Sequence, residues 1–289
     1  MTRLRIEHRT HYRYARPVVL GRHRLVLRPR EGHDLRIESM QLDITPAHQR
    51  VWSRDVFGNS VALVDFLEPA ELLEINTEVI VERLDPFPTE QPNNPMLVAY
   101  PLVYDPLEAT FTASYSALSY PADQQAIQTW LHAQPLPIGP HDAEAVIVHI
   151  GERVHREIKY QRRSEKGVQS PGQTLQLRSG SCRDMATLFM DAARVLGIAA
   201  RFASGYLDCR ASEAGHASTH AWTELYLPVL GWRGFDPTLG QPTSPRHVVT
   251  GVSNHPRGVM PISGLFTGAA SDFLELIVHV KTEKLPPRE

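Results

Sequence analysis

The chain has 289 residues, with 30 Lys plus Arg against 32 Asp plus Glu, 42% hydrophobic and 21% charged residues. A chain of this size and composition can bury about three quarters of the surface it exposes unfolded, which excludes disorder as its main state. A formal net charge of -2 gives no long-range field to collect nucleic acid or an anionic membrane, so neither is expected as a partner.

The N-terminus, Met1 to Ile6, lacks the apolar run of a secretion signal, and no later stretch reaches the roughly 18 residues that span a bilayer. The two cysteines, Cys182 and Cys209, are too few for a disulfide framework and fit a reducing, cytoplasmic setting. A single Cys182 to Cys209 bridge is the alternative.

Residues 4 to 14 alternate, with Leu4, Ile6, Tyr12 and Tyr14 on one side and Arg3, Arg5, Glu7, Arg9 and Arg13 on the other. That period of two predicts a half-buried strand. The period recurs at Leu35 and Ile37, then slips by one to Met40, Leu42 and Ile44, as a bulge requires. Gly58-Asn59 between Val51 to Phe57 and Val61 to Phe66 predicts a hairpin, since both residues tolerate positive φ. Leu73, Ile75, Thr77, Val79 and Val81 give a further strand. Residues 1–84 therefore read as a small antiparallel β domain.

Four prolines between Asp85 and Pro95 break any regular element, which places a linker and connecting segment over 85–120. Pro121 followed by Ala122 to Ala133 predicts a helix with proline in its first turn. Ile147, Ile150, Val154 and Ile158 predict an amphipathic helix over about 142–158. After residue 198 the pattern turns to strands, at Ile198 to Leu207, Ala221 to Leu227, Trp232 to Phe235 and Phe273 to Val280. Residues 121–289 thus read as helices followed by an antiparallel sheet, an α+β class. No phosphate-binding glycine loop occurs, so no nucleotide cofactor is suggested.

Chemistry concentrates at Ser179-Gly180-Ser181-Cys182-Arg183-Asp184, which opens an apolar helical pattern ending at Gly197. Ser181 as N-cap and Asp184 three residues later form a capping-box pattern, with Cys182 at the helix start. Backbone N–H groups and the helix dipole favour a thiolate there, and the small residues before it leave the sulfur accessible. A thiol nucleophile needs a proton carrier, and the carrier an orienting group. His220 and Asp236 supply both at the open end of one predicted hairpin, Ala221 to Leu227 turning at Pro228 to Gly231 into Trp232 to Pro237.

These blocks, together with Ala200 to Leu207, resemble in content and order the core of bacterial transglutaminase-like proteins. Arg5 to Thr10, Leu27-Arg28-Pro29-Arg30 and Asp55 to Asn59 resemble the β domain that precedes this core in one bacterial branch. The resemblance implies a papain-like arrangement, with the Cys-bearing helix packed on an antiparallel sheet that carries His and Asp. It implies Cys182 as nucleophile, His220 as general base then acid, and Asp236 as orienter, with a peptide or protein substrate and no metal or organic cofactor.

The family reaction proceeds through a thioester that water hydrolyses or an amine intercepts. A cysteine peptidase or amide hydrolase is preferred here to a protein-glutamine acyltransferase, and a non-catalytic binding or scaffold protein is the alternative outside enzymes.

The Cys182 N–H is the natural first oxyanion donor, and Tyr160, Gln173 and Gln176 are candidates for the second. Trp222 and Tyr206 read as cleft wall or packing. His216 and His220, with Cys209 or Asp208, match a zinc spacing, but Gly215, Ser218 and Thr219 disfavour the helix it needs. His141, His149 and His155 are expected to face solvent. Arg153, Arg156, Lys159, Arg162 and Arg163 are expected to form a hydrated helix surface.

Overall fold

The computed structural model describes residues 2–84, 98–136, 141–163, 167–208 and 219–286. The chain opens with strands β1 (Thr2–Leu20), β2 (His23–Leu25), β3 (Leu35–Thr45), β4 (His48–Arg54), β5 (Ser60–Phe66) and β6 (Ala70–Arg83). In β1 the even positions Leu4, Ile6, His8, Thr10, Tyr14, Val18 and Leu20 are buried, so the inward row holds two polar residues among the apolar ones. The slip in β3 is a register shift between Ile37 and Ser39, which keeps apolar residues on one face as the strand bends. The β4–β5 turn is a five-residue loop, since Arg54 pairs with Ser60; only Gly58 uses positive φ, while Asn59 is fully buried.

Next come β7 (Ala99–Tyr100), α1 (Pro106–Ser116), α2 (Gln124–Ala133), β8 (His141–Asp142), α3 (Ala143–Glu157), β9 (Lys159–Tyr160), α4 (Pro171–Leu177), β10 (Ser179–Gly180) and α5 (Cys182–Val195). The predicted helices are present; α1, within the stretch read as a connecting segment, was not anticipated. Asp105 caps α1 through a 2.8 Å hydrogen bond from the Leu107 N–H.

The core sheet follows, with β11 (Ala200–Leu207), β12 (Thr219–Leu227), β13 (Gly231–Asp236), β14 (Gln241–Pro242) and β15 (His247–Ser253) in the order β14-β13-β12-β11-β15, all antiparallel. Twelve of the fourteen residues of α5 are buried, which makes it a central helix, with other helices on one side and the sheet on the other. Its buried charged residues are each matched. Arg194 and Asp191, both fully buried, pair at 3.1 Å, and Arg194 also donates to the carbonyls of Ala200 and Asn254.

The chain then returns to the β domain through β16 (Ile262–Ser263), β17 (Phe266–Thr267) and β18 (Phe273–Leu285). Strand β18 pairs with β1 from Arg3–Leu285 to Tyr14–Phe273, which corrects the assignment of the last strand to the core. Alternation identifies a strand but not its partner, and here the exposed side of β1 is closed by residues some 270 positions away.

The result is a sandwich. One sheet is β18-β1-β6-β3, the other β16-β2-β5-β4. A 19-residue strand is about 60 Å long, enough for one face to cover two partners. Tyr14, Val18, Leu73 and Ile75 pack on the second sheet, while Leu4, Ile6, Val79 and Val81 pack on Tyr206 and Val248 of the core. Tyr206 is therefore interdomain packing. Its hydroxyl lies 3.0 Å from Nδ1 of buried His8.

Among the described residues no helix is long and apolar enough to cross a membrane.

Candidate active site

Cys182 is the first residue of α5 and a free thiol. The Asp184 carboxylate takes the Ser181 N–H at 2.8 Å and its hydroxyl at 2.9 Å, forming the anticipated capping box. Asp184 also takes the Gln169 N–H at 2.7 Å and pairs with Arg163 at 2.7 Å, so the segment before α4 is tied to the start of the Cys helix. Gly180 is required by this close approach. A Cβ there would stand 2.8 Å from the Asp184 Cβ and 3.2 Å from the Gln169 carboxamide oxygen.

On the sheet side, Thr223 Oγ1 donates to the Ala186 carbonyl at 2.8 Å and fixes α5 against β12. His220, near the start of β12, and Asp236, at the end of β13, are 5% and 0% exposed. His220 Nε2 lies 2.7 Å from Asp236 Oδ2, and the Cys182 sulfur is near enough to the same ring to act on its ionisation. With Nε2 committed to the carboxylate, Nδ1 is the nitrogen left for sulfur. The structure thus brings together all three residues singled out in the sequence. Cys182 keeps 9% of its surface exposed, so the approach to the sulfur is narrower than the small flanking residues suggest.

Burial works to lower the His220 pKa, but the adjacent Asp236 carboxylate and the Cys182 sulfur outweigh it and push it up to about 10. For Asp236, burial works upward and is overcome by His220 and His247, which hold the carboxyl well below its ordinary range. Oδ1 of Asp236 accepts the Thr238 N–H at 2.9 Å and the Leu239 N–H at 3.3 Å. Four donors surround this buried carboxylate, as its full desolvation demands.

The fourth donor, His247, was not anticipated. Its Nε2 lies 3.1 Å from Asp236 Oδ2. His220, Asp236 and His247 each offer a ligand atom within 4.8 Å of the others. Their N···O separations of 2.7 and 3.1 Å are those of two hydrogen bonds to one shared oxygen.

Of the candidate oxyanion donors, Gln173 is spent in the capping box of α4, its carboxamide oxygen accepting the Ser170 N–H at 3.1 Å. Gln176 is exposed on α4. Tyr160 alone stands beside the nucleophile segment, paired in register with Gly180. Trp222 is 1% exposed and packs with Ala203 and Val252, in contact with His220 and His247, so it backs the site from within.

Arg153 and Arg163 correct the hydrated-surface expectation. Arg153 is 3% exposed, lies over the Trp130 ring at 4.1 Å and pairs with Glu157, while Arg163 reaches buried Asp184. His155 is exposed, with Nδ1 3.0 Å from the Thr238 carbonyl oxygen. His149 is half-buried and lines a cavity of about 250 Å³ at the other end of α5, with His132, Arg153 and Leu196. Cys209, His216 and the side chain of His141 lie outside the described residues.

Comparison with known proteins agrees with this architecture. Residues 4–82 match the bacterial transglutaminase-like N-terminal region, and residues 133–237 match the transglutaminase-like superfamily. Uncharacterized proteins of Mycobacterium tuberculosis and Mycobacterium bovis are 28% identical over 96% of this chain and 92% of their own length. One from Mycobacterium leprae is 23% identical over 97% of this chain and 99% of its own. A crystal structure from Cytophaga hutchinsonii, provisionally assigned as a cysteine protease, superposes with a TM-score of 0.75 at 18% identity, covering 100% of this chain and 92% of the other. With both matches in chain order, the chain carries the bacterial transglutaminase-like N-terminal region ahead of a core of the transglutaminase-like superfamily.

Proposed function

We propose that this protein is a thiol enzyme that cleaves a peptide or isopeptide amide through a thioester on Cys182. The observation that carries the reading is the buried His220–Asp236 pair at 2.7 Å, with the Cys182 sulfur at the start of α5 near enough to act on the same imidazole. Asp236 fixes the ring and stabilises its protonated form, so His220 faces the sulfur as an acid.

With its proton held by His220, the Cys182 sulfur adds to the amide carbonyl, and the Cys182 N–H at the start of α5 donates to the developing oxyanion. His220 gives its Nδ1 proton to the leaving amine as the C–N bond breaks. It then takes a proton from water, which attacks the thioester. Release of the carboxylic acid regenerates the starting pair. Hydrolysis is preferred to amine capture on the resemblance to one bacterial branch of the family.

Intact-mass spectrometry after incubation with a peptide library, with and without a primary amine, tests the proposal. The expected result is an acyl adduct on Cys182 that disappears with time to give acid, and no adduct in Cys182→Ala. An adduct on Cys209, or none on either thiol across peptide and isopeptide substrates, refutes it.

A further inference from the structure

His247 enters the site from β15, on the far side of β11 from β12 and β13. Its Nδ1 lies 3.1 Å from the Ser244 N and 3.3 Å from the Ser244 carbonyl oxygen, which holds the ring with Nε2 3.1 Å from Asp236 Oδ2. The ring is 3% exposed and meets Trp222 edge to face at 5.1 Å. With Thr238 and Leu239 on Oδ1 and His247 on Oδ2, the carboxylate cannot turn away from His220.

Strand β15 is itself held by the β domain. Arg83 of β6 donates to the Pro245 carbonyl at 3.0 Å and to the His247 carbonyl, while its other nitrogen pairs with Asp34 at 2.8 Å. Further along, the Arg30 N–H donates to the Val249 carbonyl at 2.8 Å. The Asn59 carboxamide completes the attachment by bonding both the N–H and the carbonyl of Val252, at 2.9 and 2.8 Å.

We propose that His247 is a positioning residue of the site, fixing the carboxylate that orients His220, and that Arg83 makes the N-terminal β domain part of this device by fixing the start of β15, where His247 lies. The inference rests on the catalytic reading of Cys182, His220 and Asp236. The groups facing His247 are Asp236 and His220 from the core sheet and Arg83 from the β domain.

The test uses the full chain and reads the rate of iodoacetamide alkylation of the Cys182 peptide by mass spectrometry from pH 4 to 10. His247→Phe keeps a ring against Trp222 but removes the donor. The expected result is a fall of about tenfold at pH 6, equivalent to one unit in the acid–base balance of the site, with the profile moving toward that of Asp236→Asn. His247→Gln, whose amide can reach the same oxygen, restores the rate to within about twofold. Arg83→Met falls between them.

A purely structural role would lower the melting temperature and leave the profile unchanged. If His247→Phe does not fold, His247→Asn, too short to reach Oδ2, takes its place. A profile for His247→Phe or its replacement that superposes on the parent, while His220→Ala departs from it, overturns the role of His247. Arg83→Met superposing on the parent overturns the part given to the β domain. A parent profile that already follows free cysteine near pH 8.5 instead removes the catalytic reading itself.

Discussion

His220 Nε2 and Asp236 Oδ2 meet at 2.7 Å in a pair almost wholly removed from water. A carboxylate in that position is tolerated because it is surrounded by donors, and it keeps the imidazole protonated despite burial, up to about pH 10. The pair is stabilised by charge on both partners. Its contribution to folding is therefore complete between the unfolded carboxyl and imidazole values, and is lost as acid protonates Asp236 or as base removes the His220 proton.

Asp236→Asn removes the charge that offsets burial, so the His220 pKa should drop from about 10 to below its ordinary 6.5. At neutral pH the imidazole would then be uncharged, and alkylation of Cys182 should lose its His220-dependent component. The same amide turns donors toward donors, so stability should fall as well. NMR titration of His220 checks the first effect. A titration that still ends near pH 10 would show that Asp236 is not its cause.

Asp184→Ala should cost about 3–5 kcal/mol, because it leaves the Arg163 guanidinium and the Ser181 and Gln169 N–H groups without their buried acceptor. Arg163→Met should cost less, since Asp184 keeps its other donors. Denaturant titration of the two variants decides the order, and the reverse ranking would contradict the hub role given to Asp184.

Asn59→Ala should cost about 2–4 kcal/mol by leaving the Val252 N–H and carbonyl unpaired at the contact between the β domain and β15. Asn59→Asp should cost more. It would set a carboxylate beside the Asp55 oxygen, 2.9 Å from the present amide nitrogen, and against the Val252 carbonyl. Equal stabilities for the two variants, measured by urea unfolding, would mean that Asn59 fills space without bonding.

His8 provides a separate acid response. Burial holds it neutral, with its pKa lowered from 6.5 to about 4, so the unfolded chain binds a proton that the native interface refuses. Stability should fall as pH drops from 6.5 toward 4, by roughly 3 kcal/mol from this residue. His8→Gln, which does not titrate, should lose that much less than the parent between pH 7 and pH 4 in chemical unfolding. Identical losses would exclude His8 as the sensor.

The sequence by itself determined the local pieces. Ser181 and Asp184 fixed the start of the Cys helix, the alternation from Leu4 to Tyr14 fixed β1, and the slip after Ile37 fixed the bulge, because capping and pleating act over a few residues. The tertiary structure alone decided which strand closes β1, that Tyr206 and Asn59 serve an interface, and that His247 shares an oxygen with His220. Those relations depend on strand order and on where distant segments meet. No short-range pattern encodes that β15 lies beside β11 and not beside β13, so a histidine eleven residues beyond Asp236 carries no local mark of its place at the carboxylate.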